Sequence, residues 1–163
     1  MDTLTPEKAH RHFAAEAFNQ CWEFMNLPVR TPEENRRMIR AAETSFWHWQ
    51  FAPERTPQND AVSYWQLSRV YALTGDVTTG IHYAQLGITT AQEHKLSAFY
   101  LGYAWESAAR AYLLAGMASK GQEALHKART AAFRVKDLAD KAALELDLMN
   151  LSPMNETVGS AIA

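Results

Sequence analysis

Apolar residues recur every three or four positions over most of the chain, which is the period of an α-helix. No stretch alternates polar and apolar residues for long, as a half-buried strand would. Ala, Leu and Glu are abundant, whereas Val and Ile are few and scattered. The pattern therefore predicts an all-α chain of about seven helices.

Residues that start and stop helices divide this pattern into elements. Thr5-Pro6 and Thr31-Pro32 each place an N-cap residue before a Pro at the first helical position. Gly75 and Gly116 mark helix ends. We predict one domain over residues 1–151, made of hairpins at about 6–50, 60–94 and 97–136 and a capping helix at 138–150, followed by a flexible tail at 152–163.

Two segments of the chain repeat each other. Residues 65–75, WQLSRVYALTG, and 106–116, ESAARAYLLAG, carry Arg, Tyr, Leu and Gly in the same order, 41 positions apart. Each segment is followed by a second helix with a small residue at a matching place, Gly80 and Gly121. One hairpin cannot bury its apolar stripe alone, whereas stacked hairpins can, so the repeat predicts a stack of antiparallel helical hairpins.

The repeated segments resemble the tetratricopeptide repeat, whose motif places bulky, small, Tyr and Gly residues in a fixed order. The matching residues are Tyr64, Leu67, Ser68, Tyr71, Gly75, Gly80, Ala84 and Gly87, then Trp105, Ala108, Ala109, Tyr112, Gly116, Gly121, Leu125 and Ala128. The 41-residue period exceeds the family's usual period of about 34 residues, and the first hairpin fits only loosely. The resemblance implies a right-handed superhelix. The segments FNQCW, ETSFWHW, YWQLSRVYA and AWESAARAY also resemble an uncharacterised bacterial family of repeat-like proteins, to which we attach no activity.

The tetratricopeptide resemblance implies that the first helix of each hairpin lines a concave groove. Trp65 and Arg69 then face the groove in one hairpin. Glu106 and Arg110 face it in the next, with Tyr103 on the same side. Because each pair is four residues apart, its members share a helix face. Two neighbouring guanidinium groups can bind a carboxylate or phosphate, and an Arg beside a Trp can make a cation–π contact. The same spacing also allows a simple intrahelical ion pair between Glu106 and Arg110, and a core position for Trp65.

Further aromatic residues are expected at one end of this groove. Trp22 lies on the first helix, and His48 and Trp49 end the second. Trp47 and Trp49 are two positions apart and cannot both face the core. At least one of them therefore faces a groove, a dimer interface or solvent.

Composition and motifs exclude several functional classes. The net charge of −2 gives no field that would attract nucleic acid. Cys21 is the single cysteine, so an internal disulfide is excluded. No run approaches the roughly 18 apolar residues of a membrane span, and we expect a cytoplasmic protein without membrane contact. No HExxH, CxxC, P-loop or GxSxG motif occurs, so we expect no catalytic residue, cofactor or metal.

The leading hypothesis is a non-enzymatic module that binds a protein or peptide carrying an anionic group in the groove. A homodimer is expected, because five Trp and six Tyr exceed what so thin a stack can bury. One alternative is a small-molecule-binding protein or enzyme with its site at His48, Glu106 and Arg110. Another is a purely structural or oligomerisation module.

Overall fold

A computed structural model of the chain describes residues 5–160, with side chains as far as Leu151. The described residues form seven α-helices and no strand, which confirms the all-α prediction. None of these helices is both long and apolar enough to cross a membrane. The helices are α1 (Pro6–Met25), α2 (Pro32–Trp49), α3 (Pro57–Leu73), α4 (Val77–Glu93), α5 (Ala98–Leu114), α6 (Ala118–Phe133) and α7 (Leu138–Ser160).

The helices pack in the order of the chain. Each even-numbered helix lies against the odd-numbered helix before it, which gives three hairpins, and α7 packs on α5 and α6. In addition, α3 contacts α5, and α5 contacts α7. The helices α3, α5 and α7 therefore lie side by side, and each even-numbered helix also contacts the odd-numbered helix that follows it, as in a stack of helical hairpins.

Helix starts follow the Thr-Pro signal. Thr31 forms a capping box with Glu34: its hydroxyl accepts from the Glu34 N–H at 3.2 Å, and the Glu34 carboxylate accepts from the Thr31 N–H at 2.7 Å. A third Thr-Pro pair starts α3 at Pro57, earlier than the predicted start near Asp60. The predicted hairpin at about 60–94 leaves this pair outside the helix and so places the helix start too late.

The C-terminal helix is longer than predicted. The backbone of α7 continues to Ser160, beyond the end predicted at Asn150. The flexibility predicted for residues 152–163 stays a prediction, and 161–163 lie outside the described part of the chain.

The predicted glycine helix ends are confirmed. Gly75 has a φ of 96° and Gly116 a φ of 73°, in the left-handed region that residues with a Cβ rarely adopt. These two residues end α3 and α5, and the chain then reverses into α4 and α6. The repeat thus fixes the turn of both hairpins.

Small residues bring the two helices of a hairpin together. Ser68 and Ala109 are fully buried on α3 and α5. A Cβ built on Gly80 would lie 3.0 Å from the Ser68 carbonyl oxygen, and one on Gly121 would lie 2.6 Å from a Leu113 methyl group. A larger residue at Gly80 would therefore crowd the backbone of α3, whereas one at Gly121 would displace the Leu113 side chain.

Two tyrosines join successive hairpins at equivalent positions. The Tyr71 hydroxyl on α3 donates to Glu43 Oε1 on α2 at 2.8 Å. The Tyr112 hydroxyl on α5 accepts from Gln85 Nε2 on α4 at 3.4 Å. Both side chains are half-buried, and each links its own hairpin to the hairpin before it.

Candidate functional site

Helices α1, α3 and α5 frame a cavity of about 260 Å³, which we call the aromatic compartment. Each helix contributes residues four positions apart, so that they share one face. None of the lining residues carries a charge at neutral pH, and the remaining lining is aliphatic. Its aromatic residues are Phe18 and Trp22 on α1, Trp65 on α3, and Phe99, Tyr100 and Tyr103 on α5.

A buried polar network lies behind this compartment. Trp65 Nε1 donates to Glu106 Oε2 at 3.1 Å, and Arg110 Nε donates to Glu106 Oε1 at 3.0 Å. The exposed fraction of Glu106 is 0% and that of Arg110 is 6%. The exchange of Trp for Glu between the repeats therefore creates a hydrogen bond between equivalent positions of two hairpins.

A second ion pair lies on α3 and α7. Arg69 Nη1 donates to Asp147 Oδ1 at 3.3 Å, and the Tyr103 hydroxyl donates to Asp147 Oδ2 at 3.0 Å. The Arg69 guanidinium also lies 5.9 Å from the ring centre of Trp22 and 5.6 Å from that of Trp65. Each of the two arginines predicted for the groove thus already faces a carboxylate.

Sequence reasoning missed Asp147, although the repeat contains the signal for it. Glu106 follows Trp65 by 41 positions, and Asp147 follows Glu106 by the same 41 positions. The prediction stopped at two copies because α7 lacks the Tyr and Gly of the motif. The repeat offset alone identifies this residue.

The structure separates the predicted groove residues into two groups. Trp22, Trp65 and Tyr103 line the aromatic compartment. Glu106 and Arg110 are buried beneath it and pair with each other along α5, so they do not form an open groove surface. The intrahelical ion pair that the spacing allowed is present.

Trp49 lies in a neighbouring cavity of about 210 Å³, which we call the amide compartment. The two compartments share Phe18, Val62 and Tyr100. The polar lining of the amide compartment comes from side-chain amides, those of Asn19, Gln58 and Asn59.

His48 belongs to a different surface, the His–Trp patch, formed by His10, Phe13, Trp47, His48 and Phe51. His10 Nδ1 and His48 Nδ1 lie 2.9 Å apart, and the rings of the patch contact one another. Partial burial, and then the charge of His10, lower the pKa of His48. Trp47 is 54% exposed and Trp49 faces a cavity, so the prediction that the two do not both face the core is confirmed.

The alternative site at His48, Glu106 and Arg110 is therefore not assembled. His48 contacts side chains of α1 and of the α2 C-terminal end, whereas the Glu106–Arg110 pair is buried within the stack. In residues 5–160, no group of three His, Cys, Asp or Glu side chains is placed to hold a metal ion.

We expect the free energy of unfolding to fall as the pH rises above about 10, the ordinary tyrosine value. Burial, and then the charge of Asp147, raise the pKa of Tyr103 in the folded chain. The folded state therefore holds this proton more tightly, and that stabilisation is complete below the ordinary pKa and is lost as the pH rises toward the folded value. The denaturant midpoint of wild type should fall between about pH 8 and about pH 11, and the fall should be smaller in Tyr103→Phe. An equal loss in both proteins would contradict this prediction.

No family model matches the chain, and neither a curated protein nor a solved structure matches it.

Proposed function

We propose that the chain is a non-enzymatic binding module that takes up an apolar side chain of a peptide or protein partner in the aromatic compartment. The observation that carries this proposal is a cavity lined by six aromatic residues and no charged one, built on three packed helices. Its volume of about 260 Å³ lies just below the roughly 300–1,000 Å³ of drug-sized ligand sites. That size favours one large side chain over a whole cofactor.

The two arginines support the walls of the compartment, and Arg69 is the more exposed of the two. Arg69 holds Asp147 and lies against Trp22 and Trp65, so it fixes two aromatic walls. Its side chain keeps 16% exposure, whereas that of Arg110 keeps 7%. A partner with an anionic group beside its apolar side chain would therefore pair with Arg69 and compete with Asp147.

We also infer that the hairpins are tetratricopeptide-like repeats. The equivalent roles of Gly75 and Gly116, and of Tyr71 and Tyr112, support this inference. The cytoplasmic location stays a prediction from the sequence.

Selection from a library of random short peptides displayed on beads tests the proposed function. Wild type should enrich peptides with a large aromatic or aliphatic residue, and Val62→Trp should abolish capture because the new ring fills the compartment. Val29→Trp makes the same change at a position that is 83% exposed, and should bind as wild type does. No enrichment of apolar residues, or equal capture by Val62→Trp, would contradict the proposal.

The anionic part of the proposal is tested on the same beads. Peptides with a carboxylate should be enriched over their amide counterparts, and Arg69→Gln should remove that preference. A preference that survives in Arg69→Gln would assign the anion to another residue.

We further propose that the His–Trp patch mediates self-association. Phe13, Trp47 and Phe51 are 45%, 54% and 52% exposed and lie together. They form a contiguous apolar patch, which is typical of an interaction surface, unlike single exposed apolar residues. Light scattering should give a particle larger than the 18.4 kDa of one chain, and Trp47→Ser should shift it to the monomer. A wild-type monomer at high micromolar concentration would contradict this proposal.

A further inference from the structure

We propose that the amide compartment recognises a main-chain carbonyl of the bound peptide, through the side-chain N–H groups of Asn59. This inference rests on the proposed function, because it assigns the second half of the same groove. The expected ligand is a peptide whose large apolar residue is followed closely by a neutral carbonyl acceptor.

The position of the two compartments supports a single ligand. Phe18, Val62 and Tyr100 line both compartments, so the two cavities adjoin each other. In a peptide, a side chain and the carbonyl of its own residue are joined through one Cα. A residue that inserts its side chain into the first compartment therefore carries its carbonyl toward the second.

The cap of α3 orients the Asn59 amide. Asn59 Oδ1 accepts from the Thr56 N–H at 2.9 Å and from the Thr56 hydroxyl at 2.8 Å. Because a backbone N–H needs an acceptor, these bonds assign the oxygen to the cap and leave the NH₂ group to donate elsewhere. Within the part of the chain that the structure describes, no residue accepts from this NH₂ group, and Asn59 lines the cavity. The cap thus holds two donors in place before any ligand arrives.

The lining of the compartment matches a neutral acceptor. It contains no charged side chain that could pair with an ionic group. A carbonyl oxygen accepts from the amide donors of Asn59 without needing a counter-ion. The neighbouring Asn19 and Gln58 supply further neutral donors and acceptors for the peptide main chain.

Two small probes separate the compartments. N-acetyltryptophanamide carries an indole ring and two carbonyl groups, whereas 3-methylindole carries the ring alone. Both are titrated into ¹⁵N-labelled protein, and their affinities are read from amide chemical-shift changes. Asn59→Asp keeps an oxygen that caps α3 and replaces the donors with a second oxygen.

Asn59→Asp should bind N-acetyltryptophanamide about tenfold more weakly, the upper range for one neutral hydrogen bond, and should bind 3-methylindole as wild type does. Asn35→Asp adds the same charge on α2, next to Arg30, and should change neither affinity. Should Asn59→Asp alter the fold, Asn59→Glu keeps the usual capping-box residue and repeats the test.

Each outcome separates this inference from the function on which it rests. Unchanged affinity for N-acetyltryptophanamide in Asn59→Asp, or equal weakening of both probes, overturns the carbonyl site and leaves the aromatic compartment in place. Failure of wild type to bind 3-methylindole overturns the proposed function itself.

Discussion

Replacing Glu106 by Gln is expected to lower the free energy of unfolding by about 3–5 kcal/mol. The Arg110 side chain is 7% exposed, and the substitution leaves its charge buried without a counter-ion. Gln keeps a carbonyl oxygen for the Trp65 N–H, so the change isolates the loss of charge. Urea unfolding monitored by circular dichroism measures the effect, provided that the slope of the transition is unchanged.

Two further variants make this prediction specific. Glu123 and Lys127 form an ion pair at the same four-residue spacing, but their side chains are 67% and 43% exposed. Glu123→Gln should therefore cost less than about 1 kcal/mol. Adding Arg110→Met to Glu106→Gln should recover much of the loss, because the buried charge is then removed as well. Equal effects of Glu106→Gln and Glu123→Gln would show that the pair is not buried as described.

Leu144→Ala is expected to destabilise the fold by about 2–5 kcal/mol. Leu144 is fully buried, and a Cβ built on Gly102 would lie only 2.5 Å from its Cδ2 atom, so α5 and α7 meet closely at this point. The shortened side chain leaves a cavity where the two helices touch. Thermal or urea unfolding measures the loss, and Leu146→Ala on the same helix, at a residue that is 60% exposed, should stay within about 0.5 kcal/mol of wild type.

The same substitution should also weaken binding. Asp147 is one helical turn after Leu144 and contacts both Arg69 and Tyr103. A loosened α7 releases these side chains at the back of the aromatic compartment, so the affinity for 3-methylindole should fall in Leu144→Ala and stay constant in Leu146→Ala. Unchanged affinity in a destabilised Leu144→Ala would show that α7 does not support the site.

The repeated core could be predicted from the sequence because packing imposes the same residue types at the same spacing. Gly75 and Gly116 end helices for a steric reason that acts locally. Tyr71 and Tyr112 recur because each hairpin meets the previous one in the same way. None of these predictions needed knowledge of a distant partner.

The polar site could be predicted only in part, because its geometry depends on residues far apart in the chain. The tetratricopeptide resemblance places Glu106 in the groove, whereas its burial depends on Arg110 and Trp65 together. His48 is predicted at the groove, but it contacts His10 on another surface. Helix periodicity does not reveal this contact, because the two residues lie on different helices.

The hydrogen bond between Trp65 and Glu106 fixes the order of the hairpins. In a solenoid of identical units, a hairpin can be duplicated or exchanged, because each one meets its neighbour through the same side chains. Here the three equivalent positions hold an indole, a buried carboxylate and a second carboxylate on α7. A second copy of α3 and α4 inserted after the first would set indole against indole and bury an unpaired N–H group. Duplicating this unit would therefore leave one indole N–H without the carboxylate that Glu106 supplies to Trp65.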